Sequence, residues 1–457
     1  MYDVVVIGAG PGGYVAAIRA AQLGMKTALI EKEKTLGGTC LNVGCIPSKA
    51  LLQSSEHYNM IENHGKEHGI ATKGLSVNFK QMMKRKEGVV ESLTAGVAGL
   101  VKRNKIERIE GTATFINPNQ IQVNGETIDS KSFIIATGSE PIPLPFAPFD
   151  EKVIVSSTGV LSLPKIPKKM IVVGAGVIGV ELASVYNRLG TKVTIVEMLD
   201  YITPGVDGAI CKMFLQILRK QGLEFHLGAK VTGIDVKKGK ASVGVDLGGE
   251  EKKLDADVVL VAIGRRPYTE ELGLDAIGIE TNRGMIQVDA NFRTKHPNIL
   301  AIGDVIDGPM LAHKASEEGI AAAEVLAGLH SHVNYIAIPS VIYTHPEVAG
   351  TGLTEEEAKA HGFQVMIGKF AFKGNARARC AGDTDGMVKV VGDKESGRLL
   401  GVHIIGPNAS EMIGEGVIAL EKRATVEELA VASHAHPTLC ESIKEAALNA
   451  LGRAIHM

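Results

Sequence analysis

Hydrophobic residues in the first part of the chain form short continuous runs that alternate with longer, helix-like stretches. The run after Asp3 is β-branched, a helix-like stretch extends from Tyr14 to Leu23, and a second apolar run covers 27–30. Short β-branched runs that alternate with helices are typical of a parallel sheet with helices on its faces. The same pattern returns from Met170 onwards. It therefore predicts an α/β protein that contains two similar sheets.

The two copies share their glycine and glutamate positions as well as their hydrophobic pattern. In each copy a strand leads into a Gly-x-Gly-x-x-Gly motif, a helix follows and ends at another glycine, and a second strand ends at a glutamate. The paired positions are all 166 residues apart: Gly8 and Gly174, Gly10 and Gly176, Gly13 and Gly179, Gly24 and Gly190, and Glu31 and Glu197. Five pairs of equivalent positions with the same separation indicate an internal repeat.

Each copy has the features of a dinucleotide-binding unit. The first glycine permits a tight turn, the second lets the backbone approach a pyrophosphate, and the third lets the helix pack on the strand. The helix N-terminus offers free N–H groups to the phosphates, and an acidic residue about 20 positions later accepts hydrogen bonds from a ribose. A single motif could be a simple glycine-rich turn, but two with acidic partners predict two dinucleotide sites. The second copy favours NAD over NADP, because Glu197 would repel a 2′-phosphate.

Composition and charge narrow the class of protein. Glycine is abundant, 53 of 457 residues, as in nucleotide-binding folds, whereas the net charge is only −2 and the basic residues are scattered. These features exclude a dedicated nucleic-acid or membrane-surface protein. No apolar run reaches the ~18 residues needed to cross a bilayer, the N-terminus shows no leader pattern, and the five cysteines do not form a secreted scaffold. We therefore expect a soluble cytoplasmic protein.

Two cysteines, Cys40 and Cys45, lie close together before a lysine. In a straight helix this spacing corresponds to about 7.5 Å of rise, whereas a disulfide needs Cα atoms within about 7 Å. Either the segment is irregular between the cysteines or no bond forms. Gly44 and Pro47 can supply the break, so we expect a regular helix from Pro47 through Gln53. Cys45 would then lie near a positive helix end with Lys49 one turn on, which lowers a thiol pKa.

Two other interpretations of the pair are open. A structural zinc site would need C-x₂-C spacing and further ligands nearby, and the two cysteines could also be unrelated buried residues. A redox-active pair is favoured over both, so we expect no metal site. We expect Cys211, Cys380 and Cys440 to be small core or surface residues, and the basic run 84–86 to lie on a solvated face of a helix over 81–105.

The cysteine segment, Gly37-Gly-Thr-Cys-Leu-Asn-Val-Gly-Cys-Ile-Pro-Ser-Lys49, resembles the active-site segment of the pyridine nucleotide–disulfide oxidoreductases. Within that family it is most similar to the members that oxidise dihydrolipoamide. The resemblance runs nearly end to end and includes Ala136-Thr-Gly-Ser139, Gly303-Asp304, Met310-Leu-Ala-His313 and His434-Ala-His-Pro-Thr-Leu-Cys-Glu441. The cysteine segment and the last of these stretches are its most specific parts.

The resemblance implies two Rossmann-like dinucleotide-binding domains and a C-terminal α+β dimerisation domain. The chain also changes its pattern at a proline-rich stretch between Glu140 and Asp150, at the end of an apolar run at Pro267, and from Ile338 onwards. We therefore expect an FAD-binding domain made of 1–140 and 268–337, an NAD-binding domain at 141–267, and an interface domain at 338–457. The family works as a homodimer.

The resemblance assigns FAD to the first glycine motif and NAD to the second. Glu31 is expected to meet the adenosine ribose of FAD, Glu197 that of NAD, and Asp304 the ribityl chain. Further expected FAD contacts are Gly8, Gly10, Gly13, Lys49, Gly111, Thr137, Gly138, Ser139 and the backbone of Met310, Leu311, Ala312 and His313. Further expected NAD contacts are Gly174, Gly176, Gly179, Val231 and Gly264.

The resemblance also implies a redox role for the cysteine segment. Dihydrolipoamide would exchange with a Cys40–Cys45 disulfide through Cys40, the outer thiol, and Cys45 would become the thiolate beside the flavin. Lys49 would stabilise charge near the flavin, and Glu181, just after the second glycine motif, would pair with Lys49.

A base is implied near the C-terminus. His436 matches the family's catalytic histidine and Glu441 the residue that orients it, and the family places both in the active site of the partner subunit. His434 is expected to be structural. Cys440 departs from the family pattern, which has a small or polar residue there, and would add a thiol beside the base.

The implied activity is oxidation of protein-bound dihydrolipoamide to lipoamide with reduction of NAD⁺ to NADH. The implied partners are lipoyl-bearing carrier domains of 2-oxoacid dehydrogenase or glycine cleavage complexes. A relative that acts on another dithiol, or a protein that binds FAD without turnover, would be the alternatives. A mercuric reductase is disfavoured because no terminal cysteine pair is present, and a glutathione-type reductase because of Ile46-Pro-Ser-Lys49 and Glu197.

Overall fold

The computed structural model describes residues 1–457. The strands are β1 Tyr2–Ile7, β2 Thr27–Glu31, β3 Glu107–Glu110, β4 Ala113–Asn117, β5 Gln120–Val123, β6 Glu126–Ile135, β7 Ser139–Pro141, β8 Ile154–Val155, β9 Lys169–Val173, β10 Lys192–Val196, β11 Glu224–His226, β12 Lys230–Lys237, β13 Lys240–Asp246, β14 Glu251–Ala256, β15 Val258–Val261, β16 Arg265–Pro267, β17 Thr281–Asn282, β18 Met285–Ile286, β19 Ile299–Ala301, β20 Ser340–Ile342, β21 Glu347–Gly352, β22 Val365–Ala371, β23 Met387–Asp393 and β24 Leu399–Gly406.

The α-helices are α1 Pro11–Gln22, α2 Gly38–Val43, α3 Cys45–Asn59, α4 Phe79–Arg103, α5 Val177–Arg188, α6 Gly208–Lys220, α7 Ala312–Leu326, α8 Glu355–Ala360, α9 Ala376–Ala381, α10 Ala409–Glu421, α11 Val426–Val431 and α12 Glu441–Ala450. A π-helical turn, Met60–His64, follows α3 directly. None of the helices is long and apolar enough to cross a membrane.

The first sheet combines segments from distant parts of the chain. Strands β3, β2, β1 and β6 are parallel neighbours in that order, and β19 pairs in parallel with β6. Strand β6 is long enough to continue into an antiparallel arm with β5 and β4. The central strand β1 is apolar and buried over its last four residues, as expected for a strand covered on both faces.

The second sheet repeats the plan of the first. Its five strands are parallel, in the order β11-β10-β9-β15-β8, and a separate antiparallel sheet, β12-β13-β14, lies between β11 and β15 in the chain. The register is repeated as well: Val4 pairs with Thr27 in the first sheet, and Met170 pairs with Val193 in the second, again 166 residues later. The internal repeat predicted from the sequence therefore extends to strand pairing.

The C-terminal sheet is antiparallel, in the order β20-β21-β24-β23-β22. Helices α10, α11 and α12 contribute to its own hydrophobic core. Four of its residues (Ile342, Val348, Met387 and Ile405) join the core of the second sheet, and Leu51 and Leu52 of α3 do so too. The predicted fold class, two Rossmann-like units and an α+β unit, is confirmed.

Two local predictions differ from the structure. The helix expected over 47–53 begins at Cys45 and runs to Asn59, because the break falls at Gly44 rather than at Pro47. The prediction that 84–86 form a solvated face is wrong for Lys86, which is only 6% exposed. Its Nζ donates to the carbonyl of Leu161 at 2.9 Å, and burial lowers the pKa of the amine.

Candidate active site

The first glycine of each motif adopts a conformation that other residues avoid. Gly8 has φ 99° and Gly174 has φ 103°. A Cβ added to either would lie 2.4 Å from a backbone carbonyl oxygen, that of Ala136 or that of Ala262, which is closer than real Cβ contacts. Both turns therefore require glycine for backbone shape and for space.

The other two glycines of each motif form a cradle with an open side. A Cβ on Gly13 would lie 1.8 Å from the Gly8 carbonyl oxygen, and one on Gly179 would lie 2.1 Å from that of Gly174, so these positions let helix and strand pack. By contrast, a Cβ on Gly10 or Gly176 would meet nothing within 4 Å. Helices α1 and α5 begin directly after these open glycines. The N–H groups of each helix start are thus accessible to a pyrophosphate, and both sites fit a dinucleotide.

The two glutamates are held in the same way in both copies. The carboxylate of Glu31 accepts hydrogen bonds from the N–H of Ala9 at 2.8 Å and of Glu33 at 3.0 Å. The carboxylate of Glu197 accepts from the N–H of Ala175 at 2.6 Å and of Leu199 at 2.9 Å. Each carboxylate is fixed beside its glycine turn and still has lone pairs for ribose hydroxyls.

Asp304 lies in a hydrogen-bonded chain that joins distant segments. The hydroxyl of Ser139 donates to Asp304 Oδ2 at 2.6 Å, and Arg265 Nε donates to the same hydroxyl at 2.8 Å. Burial lowers the pKa of Arg265, and the Asp304 carboxylate opposes this shift. The sequence interpretation missed Arg265 as a site residue, although it follows directly after Gly264 at the end of the apolar run.

A buried ion pair fixes the turn that carries Asp304. Lys314 and Glu318 are both fully buried, with Nζ and Oε1 2.9 Å apart. Lys314 Nζ donates to the carbonyl of Gly303 at 3.1 Å, and the N–H of Gly303 donates to Glu318 Oε2 at 2.7 Å. Tyr335 also donates its hydroxyl to Glu318, at 2.8 Å. This clamp was not predicted, because a Lys–Glu pair four residues apart is more often found on an exposed helix face.

The remaining expected cofactor contacts lie on turns, a strand and a helix start. The hydroxyl of Thr137 donates to the carbonyl of Tyr268 at 2.6 Å, and the N–H of Gly111 donates to the carbonyl of Glu31 at 2.9 Å. Three glycines have positive φ: 153° at Gly111, 75° at Gly138 and 132° at Gly264. Met310 and Leu311 precede the start of α7, Ala312 and His313 form its first residues, and Val231 is buried in β12.

The cysteine segment is irregular between its two thiols, which is the first of the two alternatives considered above. Helix α2 ends at Val43 and α3 begins at Cys45, with Gly44 between them at φ −136° and ψ −117°. The two thiols are unbonded and lie near disulfide distance. A hydrogen bond from Cys40 lowers the pKa of the Cys45 thiol to about 7, with burial opposing and the Lys49 ammonium assisting. The same hydrogen bond, together with burial, raises the pKa of Cys40.

Lys49 is held by an acidic partner from the second unit. Its Nζ donates to both carboxylate oxygens of Glu181, at 3.0 and 2.8 Å, and Glu181 is buried. The N–H of Tyr343 also donates to Glu181, at 2.9 Å, and the Tyr343 ring lies under the Lys49 ammonium, 4.6 Å from Nζ to the ring centroid. The structure thus brings Lys49 and Glu181 together and adds Tyr343, which the sequence interpretation did not single out.

His436 and Glu441 form an exposed pair in the C-terminal unit. His436 Nδ1 lies 3.0 Å from Glu441 Oε1, and the N–H of Thr438 donates to the other carboxylate oxygen at 2.8 Å. Burial alone would favour the protonated acid, but the donors at Thr438 and His436 outweigh it and lower the pKa of Glu441. The His436 side chain is 72% exposed, and Glu441 is its hydrogen-bond partner within the chain. The structure therefore does not place this pair against the cysteines of the same chain.

His434 and Cys440 belong to a separate contact. His434 Nε2 lies 2.7 Å from Glu415 Oε1, and this hydrogen bond raises the pKa of the imidazole. Burial raises the pKa of Cys440, and its hydrogen bond to Glu415 adds to the shift. The thiol thus lies beside Glu415 and packs against the C-terminal core.

Family models match nearly the whole chain. The model described as pyridine nucleotide-disulphide oxidoreductase matches residues 2–319, and its dimerisation domain matches residues 338–447. The chain is 52% identical to proteins named dihydrolipoyl dehydrogenase, mitochondrial, from Sus scrofa and Homo sapiens, covering 99% of this chain and 92% of each relative. A protein of the same name from Schizosaccharomyces pombe is 51% identical, covering 100% of this chain and 91% of the relative.

A solved structure is also similar over its full length. The HOCl-induced flavoprotein disulfide reductase RclA from Escherichia coli matches with a TM-score of 0.86 and 29% sequence identity. The match covers 98% of this chain and 99% of that chain.

Proposed function

Since the chain belongs to the pyridine nucleotide–disulphide oxidoreductase family, we propose that it is an NAD-dependent, FAD-containing dihydrolipoamide dehydrogenase. It oxidises protein-bound dihydrolipoamide to lipoamide and yields NADH. The observation that carries the proposal is the pair of thiols near disulfide distance, in which Cys45 has a lowered pKa beside Lys49. The chain is identical to dihydrolipoyl dehydrogenases at about half of its positions, over nearly its whole length. This similarity supports the same substrate class.

The family uses FAD and NAD, and the two cradles fit them. When bound, FAD supplies an acceptor for the electron pair of a dithiol, and NAD⁺ supplies the final hydride acceptor. In our proposal Gly10 and the start of α1 hold the pyrophosphate of FAD, and Glu31 its ribose. Gly176 and the start of α5 do the same for NAD, with Glu197 at the ribose. The division into domains at 140, 267 and 337 is part of the same proposal.

Cys40 and Cys45 exchange bonds with the substrate in two steps. In the oxidised protein, one thiolate of dihydrolipoamide attacks the sulfur of Cys40, the disulfide breaks, and Cys45 leaves as a thiolate. The second substrate thiol then attacks the substrate sulfur bound to Cys40, which closes the cyclic disulfide of lipoamide and releases Cys40. A low pKa makes Cys45 the better leaving group, since a more acidic thiol leaves faster.

The two substrate thiols give up two protons: we propose that His436 accepts the first and that the Cys40 thiolate released in the second step, whose pKa is raised, takes the second. The imidazole of His436 takes the proton from the attacking substrate thiol, while Glu441 fixes the ring by its contact with Nδ1. The dimerisation domain and the family support a homodimer. We propose that His436 of the partner subunit faces Cys40, which accounts for its exposure within one chain.

The partners we propose are lipoyl-bearing carrier domains of 2-oxoacid dehydrogenase or glycine cleavage complexes. A dihydrolipoyl group on a flexible carrier can reach thiols at the surface of the enzyme, and neither Cys40 nor Cys45 is fully buried. A cytoplasmic location remains a prediction, and fractionation of cells that produce the protein checks it.

The decisive experiment is an NADH-formation assay with dihydrolipoamide on wild type and on Cys40→Ser. We expect turnover by the wild type and loss of turnover in the variant, with Cys380→Ser, an exposed cysteine elsewhere, as the matched control at full rate. Full activity of Cys40→Ser, or a substrate panel in which another dithiol turns over and dihydrolipoamide does not, would overturn the proposal. NADP⁺ matching NAD⁺ in kcat/KM would refute the role given to Glu197.

A further inference from the structure

Three structural units meet at the Lys49 ammonium. Lys49 lies on α3, Glu181 on α5, and Tyr343 directly after β20 of the C-terminal sheet. The buried carboxylate of Glu181 contacts the ammonium with both oxygens, and the Tyr343 ring approaches to 4.6 Å between Nζ and the ring centroid. A cation at this distance from an aromatic face is attracted to it.

The backbone at Tyr343 is fixed by the same carboxylate. The N–H of Tyr343 donates to Glu181 Oε1 at 2.9 Å, so the ring is anchored to the partner of the ammonium that it contacts. Substitution of the side chain leaves this backbone donor in place. The contribution of the ring can therefore be separated from that of the Glu181 contact.

The contact of Tyr343 with Lys49 is made by its aromatic face and not by its hydroxyl. No hydrogen bond of the hydroxyl is present in the structure, whereas Tyr186 and Tyr335 each donate theirs to a protein acceptor. Burial also raises the pKa of Tyr343, so its hydroxyl stays neutral near neutral pH. What it presents to Lys49 is an uncharged ring.

Resting on the proposed function, we propose that Tyr343 is a positioning residue whose ring holds the Lys49 ammonium beside the Cys45 thiolate. Glu181 by itself draws the ammonium towards its own carboxylate, and the ring confines it from a second side. Without the ring, the flexible lysine samples other rotamers, and less positive charge reaches the thiolate. Tyr343 thus lowers the pKa of the Cys45 thiol. This thiol is the leaving group in the exchange and carries the negative charge in the reduced protein.

The Cys45 thiol is surrounded by charged and titratable groups from several elements. Those that act on it are Cys40 of α2, Lys49 of α3, Glu181 of α5, Arg265 of β16 and Tyr343 after β20. Of these, only Lys49 and Arg265 are cations. Loss of Lys49 placement therefore removes a major part of the positive charge, which gives the expected shift its upward sign.

The test is a pH titration of the thiolate–flavin absorption band in a Cys40→Ser background, where Cys45 is the single thiol of the pair. Relative to that background, Tyr343→Leu should raise the midpoint by roughly 0.3–0.7 pH unit, a two- to fivefold loss of thiolate at a given pH. Tyr343→Phe, which keeps the ring, should leave the midpoint unchanged. A Leu variant with an unchanged midpoint, or a Phe variant that shifts as far as Leu, overturns the proposal.

Two further measurements separate positioning from a general structural effect. In a Lys49→Met background, Tyr343→Leu should cause no additional shift, and an undiminished shift there contradicts a role through Lys49. Iodoacetamide alkylation of Cys45, followed by peptide mass spectrometry, reads the same midpoint without flavin if a variant binds FAD poorly. Neither the absorption titration nor the alkylation uses dihydrolipoamide. If the proposed substrate is wrong, both measurements can still be interpreted, whereas the wild-type protein shows no turnover in the NADH-formation assay.

Discussion

Removal of one charge from the buried Lys314–Glu318 pair should strongly destabilise the first unit. In a Lys314→Met variant the Glu318 carboxylate stays fully buried, with only the Gly303 N–H and the Tyr335 hydroxyl as donors. An uncompensated buried charge of this kind typically costs about 3–5 kcal/mol. The carbonyl of Gly303 also loses its donor, so the turn before Asp304 should loosen and FAD should dissociate more readily.

The assay is urea denaturation of the FAD-loaded protein. Unfolding is monitored by the rise in flavin fluorescence when FAD is released. We expect the double variant Lys314→Met, Glu318→Gln to lose less stability than Lys314→Met, because the neutral amide still accepts from the backbone and leaves no charge behind. The matched control is Lys359→Met, which breaks an exposed Lys–Glu pair of the same spacing and should change stability by less than about 1 kcal/mol. The reasoning is refuted if Lys314→Met matches that control, or if the double variant is the less stable of the two.

Three further outcomes concern the site itself. Alkylation of Cys45 in the reduced protein should rise through a midpoint near pH 7, because the hydrogen bond from Cys40 favours its thiolate, and a midpoint near 8.5, the value of a free thiol, contradicts this. Glu441→Gln should lower kcat/KM roughly ten- to hundredfold without loss of FAD, since a neutral amide orients the base less well, and unchanged steady-state rates would argue against that role. Gly174→Ala should weaken NADH binding, measured by fluorescence, while flavin absorbance is retained. Gly8→Ala should instead lose FAD. The opposite pattern would reverse the cofactor assignment.

The parts of the structure that were predictable depend on neighbours along the chain. A glycine turn, a helix start and a glutamate at a fixed spacing define each cradle, so the repeat at 166 residues reappears in strand register and in hydrogen bonds. Such local geometry needs few residues and can be inferred from their order.

The parts that were not predictable depend on tertiary contacts. Lys86 belongs to a basic run, but its position on α4 faces the carbonyl of Leu161, 75 residues away. The pairing of Lys49 with Glu181 spans 132 residues and came from a family resemblance, not from spacing. Arg265 and Tyr343 carry no local motif, and only the packing of separate units shows what they touch.

The order of strands in the first sheet has a consequence for biosynthesis. Strand β19 lies beside β6, although about 160 residues, including the whole second sheet, separate them in the chain. A growing polypeptide can thus complete the second sheet while the first still lacks a strand and the Asp304 turn. On the proposed contact of Asp304 with FAD, flavin capture requires that residue 304 has left the ribosome, so nascent chains arrested shortly before this point should bind NAD but retain no FAD.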